Sequence, residues 1–173
     1  THLSSEDIAL LGEARVHAVF CPSTEADLGD GIGPARELLD AGAGIALGSD
    51  QNAVVDPLLE MRGLEAGERL RSMQRGRIEP ADLWRAGSAA GYASLGLAAP
   101  SREGGPLDLV ELDAQSLRTA GALPVQTALA ATGADVVRTV VGGRVVFDRE
   151  SPAGTDRTVA AGLARTIGAL FAD

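Results

Sequence analysis

The sequence predicts an α/β protein, and three observations carry that prediction. Two short apolar runs, residues 16–21 (VHAVFC) and the centre of residues 44–50 (GIALGSD), end in small or turn-forming residues, as buried parallel strands do. The stretches around them carry apolar residues three and four apart behind helix-start signals, so helices and strands alternate. Beyond residues 100–106 (PSREGGP), which read as a linker, the period changes to two.

Taken in order, Ser4 followed by Asp7 is a capping-box variant, and Ile8, Leu11 and Ala14 form the apolar stripe of a first helix. His17 heads the next strand, away from the end where α/β folds gather chemistry, and reads as a packing or surface residue. Cys21 closes the strand as a small apolar core residue. Ser23, Thr24 and Glu25 follow on the functional edge. Then comes a loop, residues 28–33, whose glycines let the backbone bend close over a ligand but lack dinucleotide-fingerprint spacing. Pro34 is expected at the first position of a short helix ending near Ala41.

After the central run, Asp56-Pro57 starts a helix expected to reach about Gln74. Leu58, Met61, Leu64, Leu70 and Met73 are expected to face inward, with Glu65 and Arg69 paired outside. Another helix starts at Pro80 and carries Leu83, Trp84 and Ala90, with Trp84 in the core. Residues 107–112 alternate as a strand, and residues 136–141 and 145–147 flank Gly142-Gly143-Arg144 as a hairpin. Val159, Leu163, Ile167 and Leu170 mark a last helix.

Asp50 is the carboxylate delivered at the end of the central strand. There it can ligate a metal, carry a proton, or simply cap the next helix. With His2 before the first helix, three successive strand ends would carry His, Cys-Pro-Ser-Thr-Glu and Gly-Ser-Asp. That pattern resembles the last three βα units of the amidohydrolase superfamily, metal-dependent deaminases and hydrolases built on a TIM barrel. Residues 21–34, CPSTEADLGDGIGP, resemble the formimidoylglutamate deiminases in particular, with Asp27 standing where their motif has Asn and Gln51 where Ser is more common.

The resemblance implies an α/β fold: the C-terminal part of an amidohydrolase (β/α)8 barrel plus part of a small β-sandwich domain. Residues 1–99 would supply strands six to eight with their helices, 100–106 the linker, 107–150 a segment of the small β-domain, and 151–173 a C-terminal helix. A complete barrel takes about 250 residues, so these 173 would be a fragment beginning at strand six. The implied reaction is hydrolysis of N-formimidoyl-L-glutamate to N-formyl-L-glutamate and ammonia, in histidine degradation, by a zinc-activated water. Asp50 would ligate the zinc and hold the water, His2 would help move the proton, and Ser23, Thr24, Glu25 and Gln51 would meet the substrate. The remaining zinc ligands, all histidines, would lie outside the chain, so the fragment alone is expected to be inactive.

Two rival classes stay open: another deaminase of the guanine, cytosine or triazine type, and a non-catalytic α/β binding domain. Those deaminases usually carry Ser-Asn where this chain has Ser-Thr-Glu, so Glu25 favours the formimidoyl reading. Binding two substrate carboxylates needs arginines, for which Arg36 and Arg62 are the candidates here. The missing N-terminal half or a second copy is expected to cover the bare strand edges, and the parent is expected to be a homodimer.

A net charge of −9 without any basic run excludes nucleic acid and anionic membrane as expected partners, leaving a small-molecule substrate. No apolar run approaches the ~20 residues that cross a bilayer, and the single cysteine excludes an internal disulfide. The expected compartment is the cytoplasm.

Overall fold

The computed structural model of the protein describes residues 1–100, 103–151 and 155–171. Helix α1 (Ser5–Glu13) begins at the foreseen cap: the Ser4 Oγ accepts from the Asp7 amide at 3.1 Å, and the Asp7 carboxylate accepts from the Ser4 amide at 2.8 Å. Residues 1–4 form no strand, so the sheet begins with β1 (His17–Phe20) and not with a strand ending at His2. Strand β1 pairs in parallel with β2 (Gly44–Leu47), His17 opposite Gly44 and Phe20 opposite Leu47. Among the described residues these two strands pair only with each other, so each keeps an edge without a strand partner. The pairing is close at its start, where a Cβ on Gly44 would lie 2.5 Å from His17 Cδ2.

Two helices separate the strands. Helix α2 (Pro22–Leu28) stands where only an edge and a loop were expected; Pro22 occupies its first turn and Gly29 ends it at φ 70°. Pro34 is the N-cap of α3 (Ala35–Ala41) and not its first residue, because its ψ of 59° is not helical. Helices α1 and α3 lie so close that a Cβ on Gly12 would meet the Ala41 carbonyl oxygen at 2.3 Å.

Helix α4 (Pro57–Ser72) corrects the expected inner face. Leu58, Met61 and Leu64 are buried, whereas Leu70 is 72% and Met73 88% exposed. The inner positions beyond Leu64 belong instead to Glu65 and Glu68. Glu65 does pair with Arg69, at 2.8 Å, but inward: its carboxylate also accepts from the Gly76 and Ile78 amides at 3.1 Å each. Glu68 pairs with Arg71 and Arg77. Buried carboxylates are tolerated here because each is bonded, and they tie the following turn to the helix.

The helix expected from Pro80 is two, α5 (Pro80–Ala86) and α6 (Ala89–Ser94), parted at Gly87-Ser88. The core joins Phe20, Leu38, Ile45, Met61, Leu64 and Leu83, with Trp84 packed against it. Of the expected linker, residues 101–102 lie outside the described residues.

Strand β3 (Leu109–Leu112) then pairs antiparallel with β4 (Val136–Val141), which pairs with β5 (Arg144–Asp148) across a turn with Gly142 and Gly143 at positive φ. Between β3 and β4 the chain returns to the first half. Helix α7 (Thr127–Ala130) and Ala131 seat in the core, the Trp84 indole N–H donates to the Val125 carbonyl at 3.0 Å, and the Gly133 amide donates to Asp56 at 3.1 Å. Buried Asp135 takes a two-pronged grip from Arg118, both bonds 2.8 Å. Helix α8 (Thr155–Leu170) presents Val159, Leu163, Ile167 and Leu170 exposed; of the segment 151–173 expected there, residues 152–154 and 172–173 lie outside the described residues. No helix among the described residues is long and apolar enough to cross a membrane.

Candidate functional site

The carboxyl ends of β1 and β2 lie side by side, the Gly48 amide donating to the Phe20 carbonyl at 3.0 Å. Gly48 fits because a Cβ there would stand 3.2 Å from Cys21 Sγ. Beyond it the chain turns at Ser49, whose carbonyl oxygen accepts from the Thr24 hydroxyl at 3.0 Å and from the Asn52 amide at 3.2 Å. Asp50 follows with φ 50° and Asn52 with φ 56°, left-handed positions that Asp and Asn tolerate better than most side chains. The Asp50 carboxylate is exposed, and among the described residues no group hydrogen bonds to it. It does not cap α4. Asp56 does, its carboxylate accepting from the Leu58 and Leu59 amides at 3.0 and 3.2 Å.

Ser23, Thr24 and Glu25, expected to meet substrate, have their side chains bonded within the chain. Glu25 turns back and accepts from the Cys21 amide at 2.8 Å, just before its own helix. Thr24 is buried against the Ser49 carbonyl. Ser23 gives both its amide, at 2.9 Å, and its hydroxyl to Glu60, which is 2% exposed. Gln51 is exposed in the turn, and among the described residues neither it nor exposed His2 makes a side-chain hydrogen bond.

Glu60 was not foreseen. Nothing in the local pattern marks it, because its partner is 37 positions away. Burial pushes the Cys21 thiol pKa up, and the charges of Asp50, Glu25 and Glu60 add to the rise. Cys21 is thus a group disfavoured as a thiolate, in keeping with a packing role.

Arg36 and Arg62 are also engaged. Arg36 pairs with Asp40 and donates to the Arg77 carbonyl; Arg62 donates to the Ala131 carbonyl at 3.0 Å. A cavity of about 320 Å³, lined by His17, Ile45, Leu64, Ile78 and the Asp82–Arg85 ion pair, opens at the other end of the strands, away from Asp50.

Among the described residues no three His, Cys, Asp or Glu side chains converge to hold a metal ion. Glu25 gives one oxygen to the Cys21 amide and Glu60 both of its oxygens to Ser23, while Asp50 is, among the described residues, without a hydrogen bond. One ligand does not fit a four-coordinate zinc, so these residues alone do not make a zinc site.

Residues 1–146 match the amidohydrolase family. A 5-methylthioadenosine/S-adenosylhomocysteine deaminase of Natronomonas pharaonis is 35% identical over 156 residues, covering 86% of this chain and 36% of its own length. The formimidoylglutamate deiminase of Pseudomonas aeruginosa is 37% identical over 103 residues, 56% of this chain and 23% of its own. Among solved structures, an amidohydrolase from Brucella melitensis superposes with a TM-score of 0.84 at 27% identity, over 99% of this chain and 40% of that one. An adenosine deaminase from Xanthomonas campestris with bound zinc shares the fold, with a TM-score of 0.85 at 24% identity over 96% of this chain and 40% of its own. The chain spans well under half the length of each of these relatives. From α1 through the β4–β5 hairpin, the chain belongs to the amidohydrolase family.

Proposed function

We propose that the chain is the carboxyl-terminal portion of a hydrolytic deaminase whose substrate is N-formimidoyl-L-glutamate. The observation that carries the reading is Asp50: an exposed, unbonded carboxylate held in a turn just past β2, beside the end of the neighbouring strand β1 that leads into CPSTEADLGDG. Its oxygens accept a proton from the attacking water, the imidazole of His2 helps move the proton, and the acid toward the departing nitrogen comes from outside these residues. Water adds to the formimidoyl carbon, the C=N bond becomes C=O, and nitrogen leaves as ammonia. Zinc, which the Xanthomonas campestris relative holds, needs ligands from outside these residues, and Asp50 is the one this chain offers. The isolated chain is therefore inactive. The inward bonding of Ser23, Thr24 and Glu25 makes them the frame of the site, with Gln51 the exposed neighbour facing substrate.

A second reading, deamination of a purine nucleoside, has its own support. The methylthioadenosine deaminase relative matches 86% of the chain against 56% for the deiminase, and Arg36 and Arg62 are not open to clamp a dicarboxylate. The test is ammonia release by the full-length protein offered N-formimidoylglutamate, 5′-methylthioadenosine and guanine. The first is expected to turn over at least about tenfold faster in kcat/KM. Preference for methylthioadenosine would move the assignment to the second reading, and silence on all three would overturn both.

A further inference from the structure

We infer that Glu60 is a positioning residue for Asp50, acting through Ser23, helix α2 and the Thr24 hydroxyl on the Ser49 carbonyl. The inference deepens the proposed deaminase reading and rests on it for the role of Asp50. Its basis is a continuous set of bonds. Glu60 sits in the first turn of α4, buried, with one oxygen on the Ser23 amide at 2.9 Å and the other on the Ser23 hydroxyl. That amide is one of the orphan donors at the start of α2, and a buried carboxylate satisfies it with a charge-assisted bond. One residue on, Thr24, only 3% exposed, donates to Ser49 at 3.0 Å. Ser49 precedes Asp50, whose φ of 50° is left-handed, a conformation Asp tolerates but still at a cost that a held Ser49 carbonyl helps to offset.

The packing supports the same path. Helix α4 meets α2 at Gly63, where a Cβ would lie 2.8 Å from Pro22 Cβ, so the two helices are in close contact there. Glu60 itself makes no bond to the Ser49–Asn52 turn. Its effect on Asp50 has to pass through α2. Glu68 is the internal comparison: equally buried on the same helix, it binds Arg71 and Arg77 and is not bonded to α2.

The experiment uses the full-length protein containing this chain, with steady-state kinetics and hydrogen exchange of the segment 48–56. Glu60→Ala is expected to lower kcat about tenfold with KM changed less than about twofold, since misplacing a reacting group costs turnover more than binding. Exchange in segment 48–56 is expected to rise at least about fivefold. Glu60→Gln, whose amide can still accept from the Ser23 N–H and donate to its hydroxyl, is expected to restore both. Thr24→Val, which keeps the shape and removes the hydroxyl, reports the same path if Glu60→Ala fails to fold. Glu68→Ala is expected to lower thermal stability and leave the kcat-to-KM split as in wild type.

Unchanged exchange in Glu60→Ala and Thr24→Val, or equal losses in Glu68→Ala, would overturn the relay. A full-length protein that releases no ammonia from any probe would overturn the deaminase reading, while the exchange arm would still decide whether Glu60 holds the turn.

Discussion

Helices α4 and α8 are each 16 residues long and each carries an apolar stripe, yet they end in opposite surroundings. The α4 stripe disappears under β2, α2, α5 and α7, taking three carboxylates with it. The α8 stripe, from Val159 to Leu170, stays exposed, with Ile167 the least so at 47%. The outer strands behave like α8: Leu109, Val110, Val145, Val146 and Phe147 are all exposed. Periodicity specifies that a helix has an apolar face. What covers that face is decided by the rest of the fold. The half of the chain that carries Asp50 buries its α4 stripe among the described residues, and the other half leaves its stripe and strand faces exposed.

The sharpest way to break this contrast is at the site. In the full-length protein, Asp50→Asn is expected to lower ammonia release at least about 10³-fold, roughly 4 kcal/mol in the barrier, with little change in melting temperature. Unchanged release would remove Asp50 from the chemistry and leave α4 supporting nothing but a turn.

Next in size is the α4 core. Met61→Ala, at 2% exposure, is expected to cost about 3 kcal/mol in urea unfolding. A cost below about 1 kcal/mol would mean that this layer is loosely packed and the contrast with α8 is overstated.

A third, pH-dependent effect lies where the second half returns to the first. The Arg118 guanidinium, with the Thr132 amide, holds the Asp135 carboxyl well below the usual carboxylate range. A depressed folded-state pKa gives stability that is present above the unfolded value of about 4 and lost as pH falls further. Arg118→Ala is therefore expected to unfold at lower urea than wild type at pH 7, with the gap narrowing as pH falls below about 4 and reduced by about half near pH 2. A gap that is constant with pH would show that Arg118 acts through packing.

The smallest effect is expected on α8. Leu163→Ala is expected to change the stability of the 173-residue chain by no more than about 0.5 kcal/mol. Light scattering sharpens the point: if copies of the chain meet through this stripe, Leu163→Glu is expected to reduce the associated fraction. A large loss of stability in Leu163→Ala would show that α8 is already covered.

What could be read from the sequence was local. The strand runs around Val19 and Ala46, the Ser4–Asp7 box, the Asp56-Pro57 start and the Gly142-Gly143 turn each involve residues within a few positions of one another, and each is found. Helix α2 is hidden in the sequence because Pro-Ser-Thr-Glu also reads as a turn and its N-cap, Cys21, offers no side-chain cap. Leu70 and Met73 were misplaced because the inner stripe is continued by Glu65 and Glu68, whose partners Gly76, Arg77 and Ile78 lie beyond the helix. The position of Asp50 was legible from the strand that ends before it. The frame holding it was not, since Glu60 and Ser23 meet only after folding.

The close approach of His17 to Gly44 bears on how this chain can drift. The imidazole fills the space where a methyl at position 44 would stand, so the two sites share one allotment of volume. A library that randomises position 44 alone should return glycine, whereas one that also permits alanine at 17 should admit alanine at 44. In inheritance terms position 44 waits on position 17: a side chain at 44 is viable only in the company of a smaller residue at 17.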